Sequence, residues 1–110
     1  IMHIIAMQKH ILDENPWVAR NLFNAFNESK RRSVERILDP AVSRYPLAWV
    51  PTYARKMQDI FGGDPFPFGI DQNRATFEQM LLYTYQQGIA HKHVTPEDIF
   101  PEGIMTDVVV

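Results

Sequence analysis

Residues 1–7 read Ile1-Met2-His3-Ile4-Ile5-Ala6-Met7, with apolar side chains on both alternating faces of the segment. This pattern is typical of a strand that is covered on both sides. Such a strand needs neighbours, and the other candidate, Val108-Val109-Val110, is too short and too terminal to carry a sheet. We therefore expect the remaining strands to come from sequence that precedes residue 1 or from a second chain.

The rest of the chain is patterned as helices. Apolar residues recur at three- and four-residue spacing between recognisable start and stop signals. The expected helices run from Pro16 to about Leu38, from Pro46 to Phe61 with a break or late start near Pro51, from after Asp71 to Gly88, and from Thr95 to Phe100. The residues expected to face inward are Ala19, Leu22, Phe23, Phe26, Val34, Ile37, Tyr53, Met57, Ile60, Phe61, Phe77, Leu81 and Tyr85. Residues 1–110 are thus predicted to form one C-terminal portion of a larger α/β domain, mainly helical with an N-terminal core strand.

Composition argues against several classes of partner. The 110 residues include 11 basic and 13 acidic side chains, and this balance offers no cationic surface for nucleic acid. The apolar runs, such as Ile4 to Met7, are far shorter than the ~20 residues that a membrane-spanning helix needs. Cysteine is absent, which excludes disulfides and thiolate chemistry. The basic run Lys30-Arg31-Arg32 is expected to be a solvated helix face, with Glu28 and Arg32 paired four residues apart.

Metal and cofactor signals are weak. The segment His91-Lys92-His93 places two imidazoles on one side of an extended backbone, but no carboxylate or cysteine stands at a diagnostic distance from them. The sequence contains no glycine-rich phosphate loop, nucleophile elbow or dinucleotide fingerprint. We therefore expect neither a metal nor a cofactor.

Five residues are candidates for ligand chemistry. His3, inside an apolar strand, must either satisfy its ring nitrogens in the core or face a cavity. Phe66 and Phe68, which precede a glycine, either plug the core or form a flat wall for a planar ligand. Arg74 stands in the first turn of its helix, where a cation is tolerable if it reaches an anion. Asn73 beside it offers two donors and an acceptor.

The stretch from Gly63 to Arg74, G-D-P-F-P-F-G-I-D-Q-N-R, resembles the C-terminal part of the 4,5-dihydroxyphthalate decarboxylase family. The segments Tyr83–Gly88 (Y-T-Y-Q-Q-G) and Val94–Phe100, together with the opening I-M-H, extend the resemblance over nearly the whole chain. The resemblance implies a fold like that of the type II periplasmic-binding proteins, in which two α/β lobes hold a ligand in the cleft between them. The apolar N-terminal segment would then be a hinge or sheet strand.

The resemblance also implies an activity. A lyase of this family removes one carboxylate from 4,5-dihydroxyphthalate, a small aromatic carboxylate, to give protocatechuate and carbon dioxide. Such chemistry needs an acid that protonates the ring carbon, an anion clamp and an aromatic wall. His3 is the candidate acid, Arg74 the clamp, and Phe66 with Phe68 the wall, while Asn73 is a further substrate-binding candidate. A cytoplasmic enzyme is the expectation.

Two other functions stay open. Many proteins of the implied fold are solute-binding components of transporters, and such a protein would be periplasmic and would bind a carboxylated aromatic without altering it. The alternative needs the clamp and the wall but no acid, and fold alone does not separate it from the enzyme. The other possibility is an interaction module of unrelated function.

Overall fold

The computed structural model describes residues 3–41, 46–101 and 104. Within these ranges the regular structure is helical. The elements are α1 (Lys9–Glu14), α2 (Trp17–Leu38), α3 (Val50–Ile60), a 3-10 turn (Asp71–Asn73), α4 (Arg74–Gln86) and α5 (Pro96–Ile99). No helix of the described part of the chain is both long enough and apolar enough to cross a membrane.

The predicted α/β fold with an N-terminal core strand is wrong. Residues 3–8 have no regular structure, and no strand occurs anywhere in residues 3–41 or 46–101. Ile4 is 50% exposed and Ile5 is 62% exposed, so this segment is not an interior strand. An apolar run records a preference for burial but carries no information about which backbone would supply the hydrogen bonds of a sheet. The second strand candidate, residues 108–110, and the first two residues lie outside the described ranges.

The chain divides into two compact units. The first unit combines residues 1–23 with residues 68–110, and the second comprises residues 24–67. Helix α2 contributes its first turns to the first unit and its remainder to the second.

The core of the first unit lies against α4. Ile70, Phe77 and Leu81 are buried, and Pro96 of α5 is fully buried. The rings of Phe77 and Phe100 pack edge to face with their centroids 5.1 Å apart. The predicted burial of Phe77 and Leu81 is therefore confirmed. The predicted burial of Tyr85 is wrong, because that side chain is 46% exposed and packs beside His93.

Helix α4 ends as its sequence predicts. Gly88 has a φ of +72°, which an L residue with a Cβ rarely adopts. Its N–H donates to the carbonyl of Tyr85 at 3.0 Å, and the N–H of Ile89 donates to the carbonyl of Thr84 at 2.9 Å. These two bonds form a Schellman motif, which satisfies carbonyls that the last helical turn leaves unpaired.

The second unit contains the rest of α2 and all of α3. Helix α3 begins at Val50, with Pro51 in its first turn, which confirms the late start expected near that proline. Its apolar residues were expected to face inward, and this expectation is wrong for Tyr53, Ile60 and Phe61, which are 65%, 67% and 57% exposed. The apolar spacing identified a helix face, but these three side chains are more exposed than covered.

The apolar side chains of α2 that were expected to face inward are also more exposed than expected. Leu22 and Phe26 are 37% and 44% exposed, and none of the helix's described side chains is fully buried. The polar face of α2 carries the predicted pair, in which Arg32 Nε lies 2.7 Å from Glu28 Oε1. Arg31 pairs with the same carboxylate at 2.7 Å. Hydrogen bonds from these two guanidinium groups lower the pKa of Glu28 to about 2.

Candidate functional site

His3 lies in the irregular segment before α1 and is exposed to solvent. Its imidazole is therefore not enclosed in the apolar strand that the sequence predicted. Its role as an acid stays a prediction.

The segment Gly63–Arg74, which carries the family resemblance, is divided between the two units. In the second unit, Asp64 and Phe66 form a tight turn in which Asp64 Oδ1 accepts the N–H of Phe66 at 2.9 Å. Lys30 of α2 donates from Nζ to Asp64 Oδ2 at 2.6 Å and to the carbonyl oxygen of Phe66 at 3.1 Å. The Phe66 side chain itself is 59% exposed. The backbone of this residue is thus fixed while its ring meets solvent.

The Lys30 geometry corrects one expectation from the sequence. The run Lys30-Arg31-Arg32 was expected to be a solvated face, but the Lys30 side chain is only 15% exposed. Arg31 and Arg32 are 55% and 63% exposed, as expected for a solvated helix surface. Lys30 differs because its ammonium group reaches a carboxylate that lies 34 residues further along the chain.

The rest of the motif belongs to the first unit. Gly69 has a φ of +93°, and a Cβ at this position would lie 3.6 Å from the ring of Phe23. Its carbonyl accepts a hydrogen bond from Asn73 Nδ2 at 2.9 Å, so the Asn73 amide closes the turn that leads into α4. Phe68, which precedes the glycine, is partly exposed. The candidate substrate-binding role of Asn73 stays a prediction.

Arg74 stands at the centre of a charged cluster in the first unit. Its Nη1 lies 2.7 Å from Glu97 Oε1 and 3.5 Å from Glu78 Oε1, and its Nη2 lies 3.4 Å from Asp71 Oδ1. The hydrogen bond with Glu97 is the main cause that raises the pKa of Arg74. A cation in the first turn of a helix needs a neighbouring anion, and here the chain itself supplies that anion.

Two neighbouring carboxylates of α5, Glu97 and Asp98, have pKa values that are lowered by hydrogen bonds. The pKa of Glu97 is lowered by its own backbone N–H and by Arg74. The pKa of Asp98 is lowered because its carboxylate accepts the N–H of Thr95 at 2.8 Å, besides the Thr95 hydroxyl at 3.1 Å. Thr95 and Asp98 are the outer members of a capping box, so a local start signal fixes where Glu97 lies.

A shallow groove of about 530 Å³ runs between α4 and the segment 93–97. Its lining includes Glu78 and Glu97, both paired to Arg74, together with Leu82, His93 and Pro96. Sequence reasoning missed Glu78 and Glu97 as neighbours of Arg74. Glu78 could have been found from its spacing of four residues on the helix. Glu97 could not, because its contact with Arg74 depends on how α5 packs against α4.

The imidazole of His93 packs beside Tyr85, with the ring centroids 5.9 Å apart. Among the described residues, no group of three or more histidine, aspartate or glutamate side chains is arranged to hold a metal ion.

Comparison with known proteins identifies one named relative. Over 100 residues, which is 91% of this chain, the sequence is 23% identical to the 4,5-dihydroxyphthalate decarboxylase of Comamonas testosteroni. The similarity indicates a distant relationship. The chain spans about 30% of the length of that protein. No protein-family model matches the chain, and no solved structure matches it.

Proposed function

We propose that the protein is a carboxy-lyase that converts 4,5-dihydroxyphthalate, or a closely related aromatic dicarboxylate, to protocatechuate and carbon dioxide. The observation that carries the proposal is the similarity to the Comamonas testosteroni decarboxylase, which extends over 91% of this chain. The segment Gly63–Arg74, with its paired phenylalanines and its terminal Asn-Arg, supplies residue types that suit a planar, anionic ligand.

The reaction breaks the bond between a ring carbon and one carboxylate, leaves the electron pair on that carbon, and replaces carbon dioxide with a proton. His3 is the proposed source of the proton, because an imidazole is suited to proton transfer near neutral pH. Arg74 is the proposed contact for a substrate carboxylate. Its three ion pairs use Nη1 and Nη2, whereas Nε takes part in none of them. A planar guanidinium has five donors, so a further carboxylate is chemically compatible with this cluster.

The test is to incubate the intact purified protein with 4,5-dihydroxyphthalate and to follow protocatechuate by its absorbance. The unmodified protein should form protocatechuate. Arg74→Gln should lower kcat/KM about 100-fold, because it removes a charge that pairs with the substrate. Arg36→Gln, which changes an exposed arginine of α2, is the matched control and should leave kcat/KM unchanged.

The proposed role of His3 as the proton donor is tested in the same assay. His3→Gln should abolish turnover while substrate binding is retained, and His10→Gln, at an exposed position of α1, should have no effect. Wild-type activity in His3→Gln would remove this residue from the catalytic set. If 4,5-dihydroxyphthalate raises the unfolding temperature of the unmodified protein but is recovered unchanged, the protein is a binding protein and the lyase proposal is wrong.

A further inference from the structure

Lys30 and Asp64 hold both backbone hydrogen-bonding groups of Phe66. The N–H of Phe66 donates to Asp64 Oδ1 at 2.9 Å, and its carbonyl accepts from Lys30 Nζ at 3.1 Å. The two side chains are joined to each other at 2.6 Å. The three residues are therefore connected to one another by hydrogen bonds within the second unit.

This arrangement is more than an ordinary surface ion pair. The Lys30 side chain is 15% exposed and the Asp64 side chain 37% exposed, so both charges are partly withdrawn from water. Withdrawing charges from water is unfavourable, and a lone apolar contact would attach the same loop without that penalty. The charged pair also fixes the backbone orientation of Phe66, because Asp64 accepts the N–H of this residue and Lys30 donates to its carbonyl.

The chain on either side of Phe66 restricts it further. Pro65 and Pro67 each fix their own φ near −65°, which removes backbone freedom before and after the ring-bearing residue. The Phe66 side chain nevertheless remains 59% exposed. An exposed aromatic ring on an ordered backbone can bind a planar ligand with a smaller loss of backbone conformational entropy.

We propose that Lys30 and Asp64 are positioning residues that hold Phe66 in place against the ring of an aromatic carboxylate. The proposal rests on the function proposed above. Neither residue touches the substrate; both act through the backbone of Phe66.

The experiment combines substrate affinity with a readout that needs no substrate. Lys30→Met keeps the apolar stem of the side chain and removes the bonds to Asp64 and to the carbonyl of Phe66. We expect it to raise KM for 4,5-dihydroxyphthalate about tenfold with little change in kcat, because the ring contact contributes to binding rather than to proton transfer. Phe66→Leu should raise KM by a similar factor. The double variant should lose no more than either single variant, because both changes remove the same contact.

Hydrogen exchange of the Phe66 amide is the substrate-independent readout. The amide should exchange about tenfold faster in Lys30→Met than in the unmodified protein, because its fixed turn is released. Lys56→Met, at an exposed position of α3, is the control and should change neither KM nor this exchange rate. If Lys30→Met does not fold, Asp64→Asn, which keeps the side-chain shape and an acceptor oxygen, provides the same comparison in milder form.

The outcomes separate the two proposals. An unmodified protein that turns over substrate, with KM and Phe66 exchange both unaffected in Lys30→Met, would overturn the positioning role. Losses of affinity that simply add in the double variant would overturn it as well. An unmodified protein that neither binds nor converts 4,5-dihydroxyphthalate, with Phe66 exchange still accelerated in Lys30→Met, would overturn the lyase proposal and support the positioning of Phe66.

Discussion

Replacing Phe77 with alanine tests whether the core of the first unit has been identified correctly. Phe77 is only 6% exposed, and its ring meets Phe100 edge to face at 5.1 Å. Removing a buried phenylalanine ring costs about 3–5 kcal/mol, of which the pairing of two aromatic rings accounts for about 0.5–1.5 kcal/mol. Small domains are stable by about 5–15 kcal/mol in total, so we expect Phe77→Ala to remove a large fraction of the free energy of unfolding.

The assay is urea unfolding followed by the helical circular dichroism signal. Phe77→Leu keeps most of the apolar volume and should lose less than about 1.5 kcal/mol. Tyr83→Ala removes an aromatic side chain from the same helix, but one that is 51% exposed, and its loss should be less than half that of Phe77→Ala. Equal losses for Phe77→Ala and Tyr83→Ala would refute the assignment of the core to this face of α4.

Two further perturbations test local features of the first unit. Gly88→Ala should destabilise the protein by about 1 kcal/mol in thermal unfolding, because φ at this position is +72°, and Gly88→Asn should lose less; equal stability of all three proteins would contradict the left-handed helix end. Acid should weaken the attachment of α5, because the pKa of Glu97 is depressed below its usual 4.5 and its stabilising contribution, complete above that value, is lost as pH falls through the lower folded pKa. An acid titration of the helical signal should therefore show a shallower decline below pH 4.5 in Glu97→Gln than in the unmodified protein. Identical curves would contradict a stabilising role of the ionised Glu97 carboxylate, whose pKa is lowered by its own backbone N–H and by Arg74.

Local signals predicted local structure. The glycine at position 88 marks the end of α4 because its φ requirement depends only on neighbouring residues. The Thr95-Pro96 pair marks the start of α5 in the same way. The late start of α3 near Pro51 follows from a missing backbone donor and a ring that crowds the preceding turn. In each case the deciding interaction lies within a few residues along the chain.

Predictions failed where the outcome depended on distant partners. The apolar segment that ends at Met7 was predicted to be a strand, but a strand exists only if another backbone pairs with it, and sequence pattern does not identify that backbone. Tyr53 and Ile60 lie on an apolar helix face, yet periodicity does not say what covers the face. Lys30 was grouped with two solvated arginines because its partner, Asp64, is 34 residues away.

In the candidate site, too, the sequence indicated the local feature but not the contacts between distant residues. The position of Arg74 in the first turn of α4 correctly indicated that it needs an anion. The sequence did not indicate that Asp71, Glu78 and Glu97 already provide three of them. The substrate carboxylate that we propose at Arg74 would have to bind alongside these anions or replace one of them. Arg74 is therefore the most informative residue to vary in a binding assay.

The most direct test of the proposed activity is to run the reaction in deuterium oxide and to analyse the ring of the product by mass spectrometry. Decarboxylation replaces one carboxylate with a proton from solvent, so we expect protocatechuate that carries one deuterium on the ring for each carbon dioxide released. Recovery of undeuterated 4,5-dihydroxyphthalate with no carbon dioxide, from a protein that the same ligand stabilises against heat, would contradict it.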